Sequence, residues 1–216
     1  FDYLNSIAPF KILLVFFAIF FIINGSNLID GFNGLLSIHT SILFLFLLFI
    51  LKNNNFDIEL EKYLIFLIFV NILFLTLNFP NAKIFLGDAG AYFLGSNAAV
   101  ISILISNNID QVSPFFIANV LFYIFYEIFF SVFRKIAQKK NPFYPDKMHL
   151  HMMVYRYLKK KMNNANPLTS IFINGIYFLT MIPCLFYYDN TMICQIIFIF
   201  QLLIYMSFYF YFLKKN

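Results

Sequence analysis

The residues able to do chemistry fall in three short polar stretches of an otherwise apolar chain. The first, Asn24 to Leu35, holds Asn24, Asn27, Asp30 and Asn33 three residues apart. On a helix end this spacing puts Asn24, Asn27 and Asp30 on one face. Gly31 and Gly34 allow a tight turn or close approach to a ligand. Polar groups at membrane depth usually face a bundle interior or a water-filled cavity. A helix C-terminus whose amides cap backbone carbonyls is the other reading. The second stretch, Phe79 to Ala91, sets Asp88 between Gly87 and Ala89-Gly90, just before an apolar run. Asp88 either caps the following helix or offers a carboxylate to a divalent cation. Mg²⁺ sites typically use one or two carboxylates, several waters and substrate phosphates. Lys83, on one side of the turn, could approach a phosphate. The third stretch, Asn141 to His151, brings His149 and His151 among many cations. An H-x-H pair can ligate metal. With Lys147 and Arg156 beside them, however, the two imidazoles suit an anion better, because N–H donors and cations together cradle pyrophosphate oxygens.

The elements that must position these stretches are membrane helices. The 216 residues are 62% hydrophobic and 12% charged, with a mean hydropathy of +0.79. A soluble domain carries roughly a quarter charged residues, so no globular surface can be built from this composition. The apolar blocks approach the roughly 20 residues needed to cross a hydrocarbon core as helix. They lack the alternation of a barrel. The fold class is therefore all-α: a polytopic membrane bundle, expected as a single domain over 1–216. Its seven spans lie near 8–24, 35–51, 62–78, 90–106, 114–133, 168–187 and 192–213. Residues 134–161 carry nine Lys and Arg against Asp146 alone, and the tail ends in Lys214 and Lys215, whereas 52–61, 107–113 and 188–191 are acidic or weakly charged. The positive-inside rule then puts 25–34, 79–89, 134–167 and the C-terminus in the cytoplasm. All three polar stretches share that side. The net charge of +5 reflects this topology and attraction to anionic headgroups. No nucleic-acid recognition module is visible.

Other polar residues within the spans read as structural. His39 is expected to be packed in the core, Glu127 to make a structural pair with Arg134 inside the bundle, a site role being the alternative, and Cys184 and Cys194 to be small buried hydrophobes without a disulfide.

Taken together, the three stretches resemble the polyprenyl-phosphate N-acetylhexosamine-1-phosphate transferase family. Its pattern N-x-x-N-x-x-D-G-x-D/N-G-L is similar to residues 24–35, P-x-A-x-x-F-x-G-D-x-G-S/A to 80–91, and P-D-R/K-x-H-L-H to 145–151. The resemblance implies transfer of an N-acetylhexosamine-1-phosphate from a UDP-sugar to undecaprenyl phosphate, releasing UMP, at the cytoplasmic face of a bacterial inner membrane. It implies that Asp88 holds Mg²⁺ (or Mn²⁺) and that Asp30, His149 and His151 serve catalysis with it. Asn24, Asn27, Asn33, Lys83 and Lys147 are implied to bind substrate, and a homodimer is plausible by analogy. Asn33, where the family often has Asp, together with Lys147 and Met152, points to the surface-polysaccharide branch rather than the peptidoglycan one. The family also carries an Asp-Asp motif in an earlier loop, and this sequence has no Asp-Asp pair. Family members have about ten or eleven spans, so roughly the first four are expected to lie upstream, and 1–216 alone is expected to be inactive. Two rival classes are a non-catalytic membrane scaffold and a transporter. A transporter should carry internal repeats and polar residues near the bilayer midplane.

Overall fold

A computed structural model describes the backbone of residues 2–142, 144 and 146–216, and side chains from Ile12 onward within that set. Nine helices follow one another among the described residues: α1 (Asp2–Ile29), α2 (Leu35–Asn54), α3 (Ile58–Asn78), α4 (Gly87–Asn108), α5 (Pro114–Val120), α6 (Phe122–Ala137), α7 (Leu150–Lys159), α8 (Ala165–Phe186) and α9 (Thr191–Lys215). Six are long and apolar enough to cross a membrane, and the bent pair α5–α6 makes a seventh if read as one span. The chain is a multi-pass membrane protein with an all-helical bundle fold.

The helices bury large apolar residues such as Leu43, Phe44 and Phe116 together with polar ones such as Asn71 and Ser102, and turn other large apolar residues to the lipid. Helix α1 packs most extensively on α4 and also on α6, while α2 lies among α3, α4 and α8. Gly25 lets α1 ride directly on the α6 backbone, because a Cβ there would meet the Ile124 carbonyl oxygen at 2.2 Å. Ser26 donates to the Ala91 carbonyl at 2.9 Å, tying α1 to α4. Within the core, Asn71 Nδ2 reaches the Ser37 carbonyl and the hydroxyls of Thr40 and Ser41 at 2.9–3.0 Å. Such interhelical bonds matter in lipid, where association gains no hydrophobic drive. His39 is fully buried with Nδ1 3.1 Å from Asn174 Oδ1 and its ring against Tyr177, in line with the structural role expected. Cys184 and Cys194 are buried free thiols, also as expected.

Three departures from the sequence reading bear on the site. The expected fifth span, 114–133, bends by 76° at Leu121. There the Tyr177 hydroxyl takes the Val120 carbonyl at 2.7 Å, and Asn119 Nδ2 donates to the Cys194 carbonyl at 2.9 Å. Helix α1 continues to Ile29, past the expected end of the first span at 24, so Asn24 and Asn27 lie in its last turns, the helix end that their spacing allowed. The stretch 134–161, read as loop, contains helix α7, whose first turn carries His151.

Candidate functional site

The first polar stretch forms the end of α1 and the turn into α2. Asn24 Nδ2 donates to the Phe20 carbonyl one turn back at 2.7 Å, and Asn27 Nδ2 reaches the Tyr92 hydroxyl of α4 at 3.2 Å. Asp30 follows the last helical residue. Asn33 is drawn into the turn itself. Its backbone N–H donates to Asn166 Oδ1 at 2.8 Å and its Nδ2 to the Pro80 carbonyl at 2.6 Å. Gly34, at φ 73°, allows the reversal, and its N–H donates to Asn78 Oδ1 at 2.7 Å. The first and second stretches are therefore hydrogen-bonded to each other.

Asp88 lies exposed in the first turn of α4, after Gly87 at φ 67°. It is not the N-cap, a position held by Leu86. A carboxylate in a first turn is favoured by the orphan backbone N–H groups and the helix dipole. Asp88 also acts on Asp30. Burial, and then the charge of Asp88, push the Asp30 carboxyl up to about 7. Two carboxylates in mutual repulsion suit a divalent cation that keeps most of its water. Among the described residues no three His, Cys, Asp or Glu side chains gather closely enough to chelate a metal on their own. Lys83 and Lys147 are exposed, the first in the turn before α4 and the second just before α7.

The histidine stretch is held from α6. Tyr123, Glu127, Ser131 and Lys135 recur every fourth residue and form its buried stripe. Glu127 accepts three bonds: from His149 Nδ1 at 3.1 Å, from the Leu150 N–H at 3.0 Å and from the Tyr205 hydroxyl at 3.1 Å. The expected Glu127–Arg134 pair is thus not formed. Arg134 instead pairs with Asp146, because the chain after α6 folds back and brings that carboxylate to it. Burial alone would raise the Asp146 carboxyl, but the Arg134 guanidinium and the Met148 N–H hold it below the usual range. Lys135 Nζ donates to the carbonyls of Pro142 and Tyr144 at 3.0 and 2.7 Å, completing the clasp. Phe143 and Pro145 of this stretch lie outside the described residues.

His149 and His151 have parallel rings 5.5 Å apart, and the Tyr123 hydroxyl lies 3.2 Å from His151 Nδ1. Burial drives the His151 imidazole down to about 4, with Glu127 opposing and His149 adding to the shift. The ring is therefore neutral at physiological pH. Bonding of Nδ1 to Glu127 leaves Nε2 as the ligand-facing nitrogen of His149. Both histidines line a cavity of about 610 Å³ together with Asn24, Gly31, Lys135 and Asp146, walled on the other side by α1 phenylalanines such as Phe17 and Phe21. One wall is apolar and the other bears two imidazoles, the Lys135 ammonium and the Asp146 carboxylate, which Arg134 pairs. Such a cavity can receive an amphipathic anion.

Of the residues that the sequence reading picked out, Asn24, His149 and His151 line the cavity, while Asp30 and Asp88 are not among its lining residues. The sequence reading missed Glu127, Tyr123, Tyr205, Lys135 and Arg134 as the residues that hold the histidine stretch. The every-fourth-residue polar stripe on α6 was the available signal.

The sequence model of glycosyl transferase family 4 matches residues 2–106. An undecaprenyl-phosphate alpha-N-acetylglucosaminyl 1-phosphate transferase of Thermotoga maritima is 35% identical over 72% of this chain and 47% of its own length. A phospho-N-acetylmuramoyl-pentapeptide-transferase of Dictyoglomus turgidum is 32% identical over 64% of this chain and 44% of its own. The Escherichia coli undecaprenyl-phosphate alpha-N-acetylglucosaminyl 1-phosphate transferase is 27% identical over 69% and 42%. The chain spans about half the length of the curated relatives it matches. No solved structure matches it. With its helical bundle, its polar stretches and these relatives, the chain is similar to glycosyl transferase family 4, whose sequence model it matches over residues 2–106.

Proposed function

We propose that the protein carrying this chain transfers an N-acetylhexosamine-1-phosphate from a UDP-sugar to undecaprenyl phosphate, on the cytoplasmic side of the membrane, and so initiates a lipid-linked envelope glycan. One observation carries the reading. The first polar stretch touches both others, through Asn33 on Pro80 and through the Phe32 ring, 5.8 Å from that of His151.

In the reaction an oxygen of undecaprenyl phosphate attacks the sugar-bearing phosphorus of the donor. A new P–O bond forms, the bond to the bridging oxygen breaks, and UMP leaves with that oxygen. Two polyanions must meet, so their repulsion has to be offset where charge develops on the transferring phosphate. Asp88 with Asp30 would hold Mg²⁺ or Mn²⁺, which when bound supplies positive charge to the phosphate oxygens. His151, whose Nδ1 faces the Tyr123 hydroxyl, would donate its Nε2–H to a phosphate oxygen, and His149, held through Nδ1 by Glu127, would face the phosphate with Nε2. Lys83 and Lys147 would add charge from the rim. Asn24 and Asn27 would face the donor nucleotide from α1, while Asn33 would shape the turn that carries Asp30. Glycans of the surface-polysaccharide class are the favoured product. That reading rests on Asn33, Lys147 and Met152 in the polar stretches; the Asn33 amide also donates a hydrogen bond to the Pro80 carbonyl that an ionised Asp could not.

The test uses the full-length protein in detergent with undecaprenyl phosphate, Mg²⁺ and a panel of UDP-N-acetylhexosamines. UMP release that requires both lipid and Mg²⁺, and that Asp88→Asn abolishes, is the expected result. A folded protein that releases no UMP from any donor would reduce it to a non-catalytic relative.

A further inference from the structure

A second charged feature lies apart from the cavity, where the end of α7 meets the end of α9. Arg156, Lys159, Lys160 and Lys161 come from α7 and its following turn, and Lys214 and Lys215 from the tail. Lys160 Nζ donates to the Lys215 carbonyl at 3.1 Å, which sets the two runs side by side. The five lysines are exposed. Residues 147–167 and 214–216 contain no Asp or Glu, and among the described residues none of these six cations is in an ion pair. Among the described residues no carboxylate side chain pairs with that charge.

Below the ammonium groups lies an aromatic layer. Lys159 sits 5.7 Å from the centre of the Tyr155 ring, and Lys161 sits 4.4 Å from that of Tyr157. Tyr157 packs edge-on against Tyr211 and Phe212 of α9. Tyr211 and Met162 remain about half exposed, at 47% and 51%. Lysines above tyrosines at the ends of membrane helices are the arrangement found at headgroup depth. A cluster of four to eight cations next to a membrane helix attracts anionic lipid.

We infer that this corner of α7 and α9 is a docking site for anionic phospholipid headgroups of the adjoining leaflet. The site is separate from the cavity, since His149 and His151 lie at the opposite end of α7, a helix of 10 residues and so roughly 15 Å long. Headgroup capture fastens the far end of the helix whose first turn presents His151.

The experiment is native mass spectrometry of the full-length protein from detergent micelles doped equally with phosphatidylglycerol and phosphatidylcholine. The wild type is expected to retain phosphatidylglycerol in preference. Replacing Lys159, Lys160, Lys161, Lys214 and Lys215 together by Gln should lower that retention at least about tenfold. Lys52→Gln with Lys62→Gln, on the opposite face, should leave it unchanged. Equal retention of both lipids by the wild type, or undiminished retention by the five-site variant, overturns the inference. Should that variant not fold, the wild type decides alone. Its preference must collapse between about 50 and about 500 mM NaCl, and a salt-insensitive preference overturns the inference as well. The readout needs no sugar donor, so it stands or falls apart from transfer activity.

Discussion

Asp30 carries the most informative single titration. Its partial burial and the charge of Asp88 set its carboxyl at about 7 rather than 3.8. The folded state therefore keeps a proton that the unfolded chain gives up. This contribution to stability is fully present below about pH 4 and lost as pH rises through 7. Asp30→Asn should accordingly raise the melting temperature, and by more near pH 8 than near pH 5. A cation bound by Asp88 and Asp30 must also displace that proton. The apparent Mg²⁺ affinity in the UMP-release assay should then climb about tenfold per pH unit up to pH 7 and level off above it. An affinity that does not change between about pH 6 and pH 8 would remove Asp30 from the cation site. Glu127 offers a different kind of test. Its carboxylate accepts three buried donors, and Gln in its place can accept at only one oxygen and brings donors of its own. Glu127→Gln should cost about 2 kcal/mol of stability from unmatched groups. It should also lower kcat on the order of a hundredfold, while KM for the UDP-sugar moves little, if orienting His149 in the transition state is its role. An unchanged kcat in a stably folded variant would show that His149 needs no orientation.

At the scale of elements, the long spans were legible because lipid rewards length and apolarity, and hydropathy reports both. Seven runs in the sequence correspond to six whole helices and one bent pair. The bend was not legible. Residues 115–133 contain neither Gly nor Pro, and the break follows from a tertiary bond, Tyr177 to the Val120 carbonyl. Helix α7 escaped notice for another reason. Its ten residues carry two cations, Arg156 and Lys159, among apolar side chains, and a basic run reads as a loop when it is tallied only for topology. The joining of α1 to α6 was hidden in a single glycine. Gly25 faces backbone rather than a flexible side chain, whereas nothing lies within 4 Å of a Cβ placed at Gly31. Gly25→Ala should therefore cost about 1–3 kcal/mol by forcing the two helices apart, with Gly31→Ala close to neutral. Thermal melts of the two variants in one detergent check this difference. Equal melting temperatures would mean that α1 is free to shift on α6.

For the whole molecule, everything proposed depends on which side of the membrane the joined stretches face. In the proposed orientation Asp30, Asp88 and the histidines face the cytoplasm, on the side of the cations of 134–161 and the tail and opposite the acids of 52–61. The fold agrees with that alternation. Asp57 caps α3 by accepting from the Glu59 and Leu60 N–H groups at the end of the molecule remote from the turn that bears Asp88. A UDP-sugar is made and held in the cytoplasm, so a reversed orientation would deprive the site of its donor. Single reporter cysteines decide the matter in a Cys184→Ser, Cys194→Ser background, which removes both native thiols. In intact cells a membrane-impermeant maleimide should label Glu59→Cys and Asp110→Cys. Lys83→Cys and Lys147→Cys should be labelled only after the membrane is opened. Labelling of Lys83→Cys in intact cells would turn the molecule over, and with it the cavity, the carboxylate pair and the lysine corner would face the wrong compartment for the proposed reaction.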